Sequence, residues 1–133
     1  MTTFGAIGIA STGLTVHRKW LDAVSDNLAN VNTVRGTNED AFRQKYVVAQ
    51  EITSGQGGVQ VKGILEGSAE GRLVYEPGHP LADKQGYVRY PDIDMSSQMT
   101  QLIMAQRGYQ ANLTVIDRAK ESYQAALAIG RGA

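Results

Sequence analysis

The sequence predicts an α+β chain in which long N- and C-terminal helices pair as an α-helical coiled coil around a small antiparallel β-rich insertion. Three observations predict it. Residues 4–31 carry apolar side chains every seven residues, with Ile7, Leu14, Leu21 and Leu28 in one row and Ala10, Val24 and Val31 in a second. Residues 95–130 repeat the pattern with Met95, Leu102, Tyr109, Ile116 and Tyr123, backed by Met99, Leu113 and Leu127. Spacing of this kind draws an apolar stripe down one helix face. The stretch between them is glycine-rich and strand-like. Three segments follow: 1–34 and 92–133 as the helices of one axial unit, and 35–91 as the β-rich region.

The first helix is expected from about Phe4 to Asn30. Gly5, Gly8 and Gly13 weaken its start, each by about 1 kcal/mol relative to Ala. Residues 1–13 should therefore stay loose unless something packs on them. Asn27, Asn30 and Asn32, then Thr33 and Gly36, mark its end, since Asn tolerates the left-handed conformation common at helix C-termini. Ala41–Ile52 reads as a strand or as a helical turn and a strand. Ser54–Gly58 reads as a flexible connector. Val59–Leu65 alternates as a strand does, and Leu73–Tyr75 and Tyr87–Tyr90 are short strands. Glu76-Pro77-Gly78-His79 has the Pro-Gly order of a type II turn, and Asp83-Lys84-Gln85-Gly86 resembles a second turn. After Pro91, Asp92 and Asp94 stand where a carboxylate caps a helix. That helix can run to about Ile129, roughly 50 Å at 1.5 Å per residue.

The 133 residues suffice for one domain, but a middle of under 60 residues makes a marginal core by itself. Lys plus Arg number 13 and Asp plus Glu 13, with no basic patch, so nucleic acid and anionic membrane are poor partners. There is no cysteine, which excludes disulfides and thiolate metal sites. No stretch is long and apolar enough to span a bilayer. The N-terminal residues do not read as a cleavable signal, because the basic His17-Arg18-Lys19 follows the mildly apolar stretch instead of preceding it.

Catalytic chemistry finds little support. His17 lies in a helical seam and His79 in a Pro-Gly-His-Pro turn, whereas metal sites need several clustered ligands. No metalloprotease, nucleophile-elbow or phosphate-loop motif occurs. The glycine run at 55–58 opens a strand rather than a helix. Asn112-Leu113-Thr114 matches a glycosylation sequon by chance within a helix. Asp92 and Asp94 are caps rather than a carboxylate pair. Gln106 and Lys120 either set register or face solvent. The stripes outlast most globular helices, and small residues such as Ala6, Ala10, Ala29, Ala105, Ala111 and Ala119 flank them. More than one face of each helix is thus open to close approach, as in a part of an assembly. The assembly contacts expected from the seams are Leu14, Leu21, Val24, Leu28, Met99, Leu102, Leu113, Ile116 and Tyr123. Asn27, Asn30, Arg107, Tyr109 and Asn112 are the polar residues expected to hold helix ends and lateral contacts.

Three runs resemble one known family. Ser25-Asp26-Asn27-Leu28-Ala29-Asn30 resembles the Ser-x-Asn-Leu-Ala-Asn signature of the bacterial flagellar rod and hook proteins. Gln106-Arg107-Gly108-Tyr109-Gln110-Ala111-Asn112 resembles their C-terminal Arg-x-Tyr-x-Ala-Asn pattern. Leu73–Asp83, continuing through Gly86-Tyr87-Val88 to Pro91, resembles the small proximal rod members in particular, and the hook and distal rod proteins carry larger insertions. The resemblance covers nearly the whole chain. It implies export without a cleaved signal by the flagellar type III apparatus, and polymerisation into the hollow, torque-bearing shaft that crosses the periplasm. It implies self-association and contact with proximal rod protein B, rod adaptor protein E and rod proteins F and G. It implies a structural role, with no catalytic residue, cofactor or metal. The alternatives are a soluble helical-hairpin adaptor or another rod protein of the same axial family.

Overall fold

The computed structural model describes residues 2–132; Met1 and Ala133, the outer ends of the first and third expected segments, lie outside them. The element order is α1 (Thr3–Ala29), β1 (Lys45–Glu51), β2 (Val59–Glu66), β3 (Arg72–Tyr75), β4 (Tyr87–Tyr90) and α2 (Met95–Arg131). The two helices pack antiparallel along much of their length, and two small antiparallel sheets lie between them in sequence, an α+β fold.

Each helix starts on a polar cap. The Thr2 hydroxyl accepts from the Gly5 N–H at 3.1 Å, and the Asp94 carboxylate accepts from the Ser97 N–H at 2.8 Å. Asp94 is thus a cap, as its position predicts, while Asp92 is exposed. At the end of α1, Asn30 has φ −106°, so the expected left-handed stop does not form. Asn30 instead turns the chain through its side chain. Its Nδ2 donates to the Asp26 carbonyl at 2.9 Å, and its Oδ1 accepts from the Thr33 hydroxyl at 3.1 Å.

β1 and β2 form one hairpin, with Lys45 opposite Glu66 and Glu51 opposite Val59 and an irregularity between Val48 and Ala49. β3 and β4 form the other, with Leu73 opposite Arg89 and Tyr75 opposite Tyr87. Arg35 bridges β4 through two backbone bonds of 2.9 Å with Arg89. The Arg89 guanidinium donates to the Thr37 carbonyl at 2.8 Å and to that of Glu70, which pins both loops to β4. Val31, Ala41, Val88 and Ile93 are buried at this junction.

Two loop expectations are corrected. The Glu76–His79 turn closes through the His79 N–H and the Glu76 carbonyl at 3.0 Å, but Gly78 lacks the positive φ of a type II turn. The 54–58 connector is exposed over residues 54–56 but is docked on α1 at its end. Gly58, at φ +118°, lies against the Thr12 side chain, where a Cβ would stand 2.6 Å from Oγ1. The same hydroxyl accepts from the Val59 N–H at 3.1 Å, so α1 holds the start of β2.

Candidate assembly site

The seam between α1 and α2 is built from small and polar residues. Asn27 lies against Gln98, Trp20 against Gln101, His17 against Gly108, Gly13 against Asn112 and Phe4 against Tyr123. At mid-seam the helices interlock through two glycines. A Cβ on Gly108 would lie 2.2 Å from His17 Nε2, and one on Gly13 would lie 2.5 Å from Asn112 Oδ1. Each interlocking side chain is steered by its own helix. The His17 Nδ1–H donates to the Gly13 carbonyl at 2.8 Å, and Asn112 Nδ2 donates to the Gly108 carbonyl at 2.8 Å. The arrangement is reciprocal: on each helix a glycine accepts the side chain that the partner sends from four residues along. The glycines at the start of α1 therefore do not leave it loose. Gly5 and Gly13 are buried, and the helix is formed from Thr3.

At the lower end of the seam, Asn27 is 1% exposed and does the work of a neighbouring strand. Its Oδ1 accepts from the Lys45 N–H at 2.8 Å, while its Nδ2 donates to the Lys45 carbonyl at 2.9 Å and to Gln98 Oε1 at 3.0 Å. The open edge of β1 is thereby paired at its first residue. Gln98 is fully buried, and its Nε2 has no partner among the described residues. Beside this junction the Asp26 carboxylate contacts the Lys45 ammonium, and that hydrogen bond holds the amine above its ordinary range.

The apolar rows lie outside this seam. Leu14, Leu21 and Leu28 each follow a residue that faces α2 (Gly13, Trp20, Asn27), and Met99 and Leu113 follow Gln98 and Asn112. One residue is about 100° of helix, so each row is turned to one side of the seam. In an antiparallel pair the two turns bring both rows to the same side. The residues one step earlier, Thr12 and Asp26, touch β1 and β2 on the opposite side. The two-helix layer thus has a sheet on one face and an open apolar face on the other. On that face Leu14, Leu21, Leu28, Leu102, Tyr109 and Ile116 are half-buried. Met99 is 46% exposed, Leu113 40% and Tyr123 42%.

This placement corrects the expectation that the leucine stripes meet each other. The α2 seam residues include Gln98, Gln101, Gly108 and Asn112, with Tyr123 at its far end, and only Gln98 and Ala105 are buried on that helix. Val24 and Asn27 are spent inside the chain, and Asn30 and Asn112 bond their own helices. Arg107 is exposed, as are Gln106 and Lys120. Sequence reasoning missed Gly13, Gly108, Gln98 and Trp20. A glycine four residues before His17 on one helix and before Asn112 on the other is the signal that marks the interlock.

Among the described residues no group of three or more His, Cys, Asp and Glu could hold a metal ion. His17 packs on Gly108, and His79 Nδ1 accepts from the Leu81 N–H at 3.0 Å to close a local turn. No helix among the described residues is long and apolar enough to cross a membrane.

Comparison with known proteins agrees with this geometry. Residues 7–35 match the family described as Flagella basal body rod protein, and residues 84–129 match that described as Flagellar basal body rod FlgEFG protein C-terminal. The flagellar basal-body rod protein FlgC of Salmonella typhimurium is 38% identical over 134 residues, covering 98% of this chain and 100% of the relative. That of Borreliella burgdorferi is 35% identical over 153 residues, covering 99% and 100%. That of Bacillus subtilis is 33% identical over 150 residues, covering 98% and 100%. Interlocked terminal helices with an open apolar face, matched over their whole length by such relatives, place the chain: it belongs to the FlgC family of flagellar basal-body rod proteins.

Proposed function

We propose that this chain is a structural subunit of the proximal rod, polymerising through its two-helix layer into the hollow shaft that transmits torque and encloses the export channel. The observation that carries the reading is the open apolar face on the side away from the β1–β2 sheet. A continuous exposed apolar surface of this extent is a mark of a protein interface. Its burial against neighbours supplies roughly 25 cal/mol per Å² of association free energy. Leu14, Leu21, Leu28, Met99, Leu102, Tyr109, Leu113, Ile116 and Tyr123 make these contacts, with Arg107 at their edge. Segments 1–34 and 92–133 act as one axial unit, and 35–91 stands outside it.

The role is mechanical rather than catalytic. The chain reaches its periplasmic place in the basal body through the type III export apparatus without a cleaved signal. Its neighbours are copies of itself, proximal rod protein B, rod adaptor protein E and rod proteins F and G. Support comes from the rod proteins it resembles over its full length. Deleting the chain should remove the rod and everything distal to it. Basal bodies of normal length in the deletion strain, or a stable small oligomer in sedimentation with no incorporation into basal bodies, would favour a soluble adaptor instead.

A further inference from the structure

Sulfur in this chain is confined to methionine, since there is no cysteine. The methionines of the described residues are Met95, Met99 and Met104, all within the first turns of α2. Each is open to solvent: Met95 is 49% exposed, Met99 46% and Met104 54%. Where no thiolate competes, an exposed thioether is the side-chain group most open to two-electron oxidation.

Their placement separates them. Met95 and Met99 are four residues apart and share one side of the helix. Met99 belongs to the open apolar face, with Leu102 and Leu113. Met104 lies elsewhere, about 140° around the helix from Met99 and about 180° from Met95 at 100° per residue. The apolar face thus carries two reactive thioethers, and the third stands off it as an internal control.

We propose that Met95 and Met99 form an oxidation site, at which a peroxide that meets the chain before incorporation withholds the subunit from assembly. The inference rests on the rod-subunit reading and adds a chemical control to it. In the reaction the sulfur lone pair attacks one peroxide oxygen and the O–O bond breaks. That oxygen stays on sulfur as the sulfoxide, and the other leaves as water with both protons. Sulfur loses two electrons and the peroxide gains them. The product places a polar acceptor where an apolar side chain stood. In the free chain the new oxygen faces water. In an assembled rod it would be buried without a donor, which disfavours incorporation. Sulfoxide reductases reverse the change, so a subunit held back in this way is recoverable.

The full-length chain is treated with hydrogen peroxide, and the sulfoxides are located by peptide mapping. All three methionines should be oxidised while the helical circular dichroism is unchanged. Oxidation of Met95 and Met99 only after unfolding overturns the inference. Met95→Gln with Met99→Gln then places a neutral acceptor at both positions and keeps a good helix former. In a strain lacking the native chain, this pair should enter basal bodies about tenfold less than Met104→Gln, the scale of burying one unpaired polar group. The oxidant itself is tested with Met95→Leu and Met99→Leu together. For each strain, incorporation under peroxide is divided by incorporation without it, so any basal effect of leucine cancels. The ratio should fall for wild type and for Met104→Leu, and fall much less for the leucine pair. Equal entry of the glutamine pair and Met104→Gln, or equal ratios for the leucine pair and wild type, overturns the oxidation site and leaves the rod reading standing. Untreated wild-type chain absent from basal bodies overturns both.

Discussion

Gly108 and Gly13 are the residues on which the helix pair depends most directly. Gly108→Ala forces a methyl against the His17 ring, since its Cβ would meet Nε2 at 2.2 Å. Overpacking at such a contact costs about 1–3 kcal/mol. Thermal unfolding should show the loss, and His17→Ala in the same chain should recover part of it by vacating the space. Asn27→Ala leaves the Lys45 backbone pair and Gln98 Oε1 without their partner. A loss of about 1–3 kcal/mol is expected in denaturant unfolding. His79 and Asn112 each make a local hydrogen bond, to the Leu81 N–H and the Gly108 carbonyl respectively.

At the scale of elements, the β3–β4 hairpin carries a pH dependence of its own. Asp83 Oδ1 accepts from the Gln85 and Tyr87 N–H groups, each at 2.9 Å, and Oδ2 accepts from the Thr37 hydroxyl at 3.1 Å. The backbone bond from Tyr87 leads in holding this carboxyl below its usual 3.8. The unfolded chain therefore takes up the proton first as pH falls. The stabilisation is complete only well above the carboxyl's usual 3.8 and is lost as pH falls through the lower folded value. The protection factors of amides 83–90, corrected for the intrinsic exchange rate at each pH, should fall in acid, and Asp83→Asn should flatten that response; protection in the wild type that does not change as pH falls through the carboxylate range would refute it. On the same hairpin the Tyr90 hydroxyl donates to Glu76 Oε1 at 3.0 Å, which raises the phenol above its ordinary range. Across the junction, the Asp26–Lys45 pair gives the reverse sign, holding at neutral pH and weakening only above the amine's usual range.

For the whole molecule, the separation of seam from apolar face has a direct consequence. A charge on the open face should therefore spare the free chain and, on the rod-subunit proposal, block the polymer. Leu113 is 40% exposed, so Leu113→Asp should leave the circular dichroism and melting of the free chain within about 0.5 kcal/mol of wild type. In an assembled rod the same carboxylate would be buried unpaired, at a cost of several kcal/mol, and incorporation into basal bodies should fail. Leu21→Asp, on a half-buried residue of the same face, should also block incorporation but with some loss of monomer stability. A free chain that is helical and melts cooperatively fits the packed seam. Melting in which residues 1–13 stay unfolded in the free chain would count against it.

The helices, the four strands and the capping role of Asp94 were legible in the sequence because each follows from local spacing and backbone chemistry. Val59–Glu66 alternates, Asp94 precedes a helical run, and the heptads mark two faces. The sequence also carried the family, in the runs around Asn27, Glu76 and Tyr109. What spacing alone did not decide was which face each stripe meets. Periodicity gives the angle between residues on one helix and is silent on the rotation of that helix about its partner. That rotation was settled by tertiary packing. Gly13 and Gly108 let the backbones approach, His17 and Asn112 fill the space, and Asn27 and Thr12 tie the opposite flank to the sheet. The leucines were thereby left flanking the seam, half-buried on α1 and at Leu102 and more exposed at Leu113.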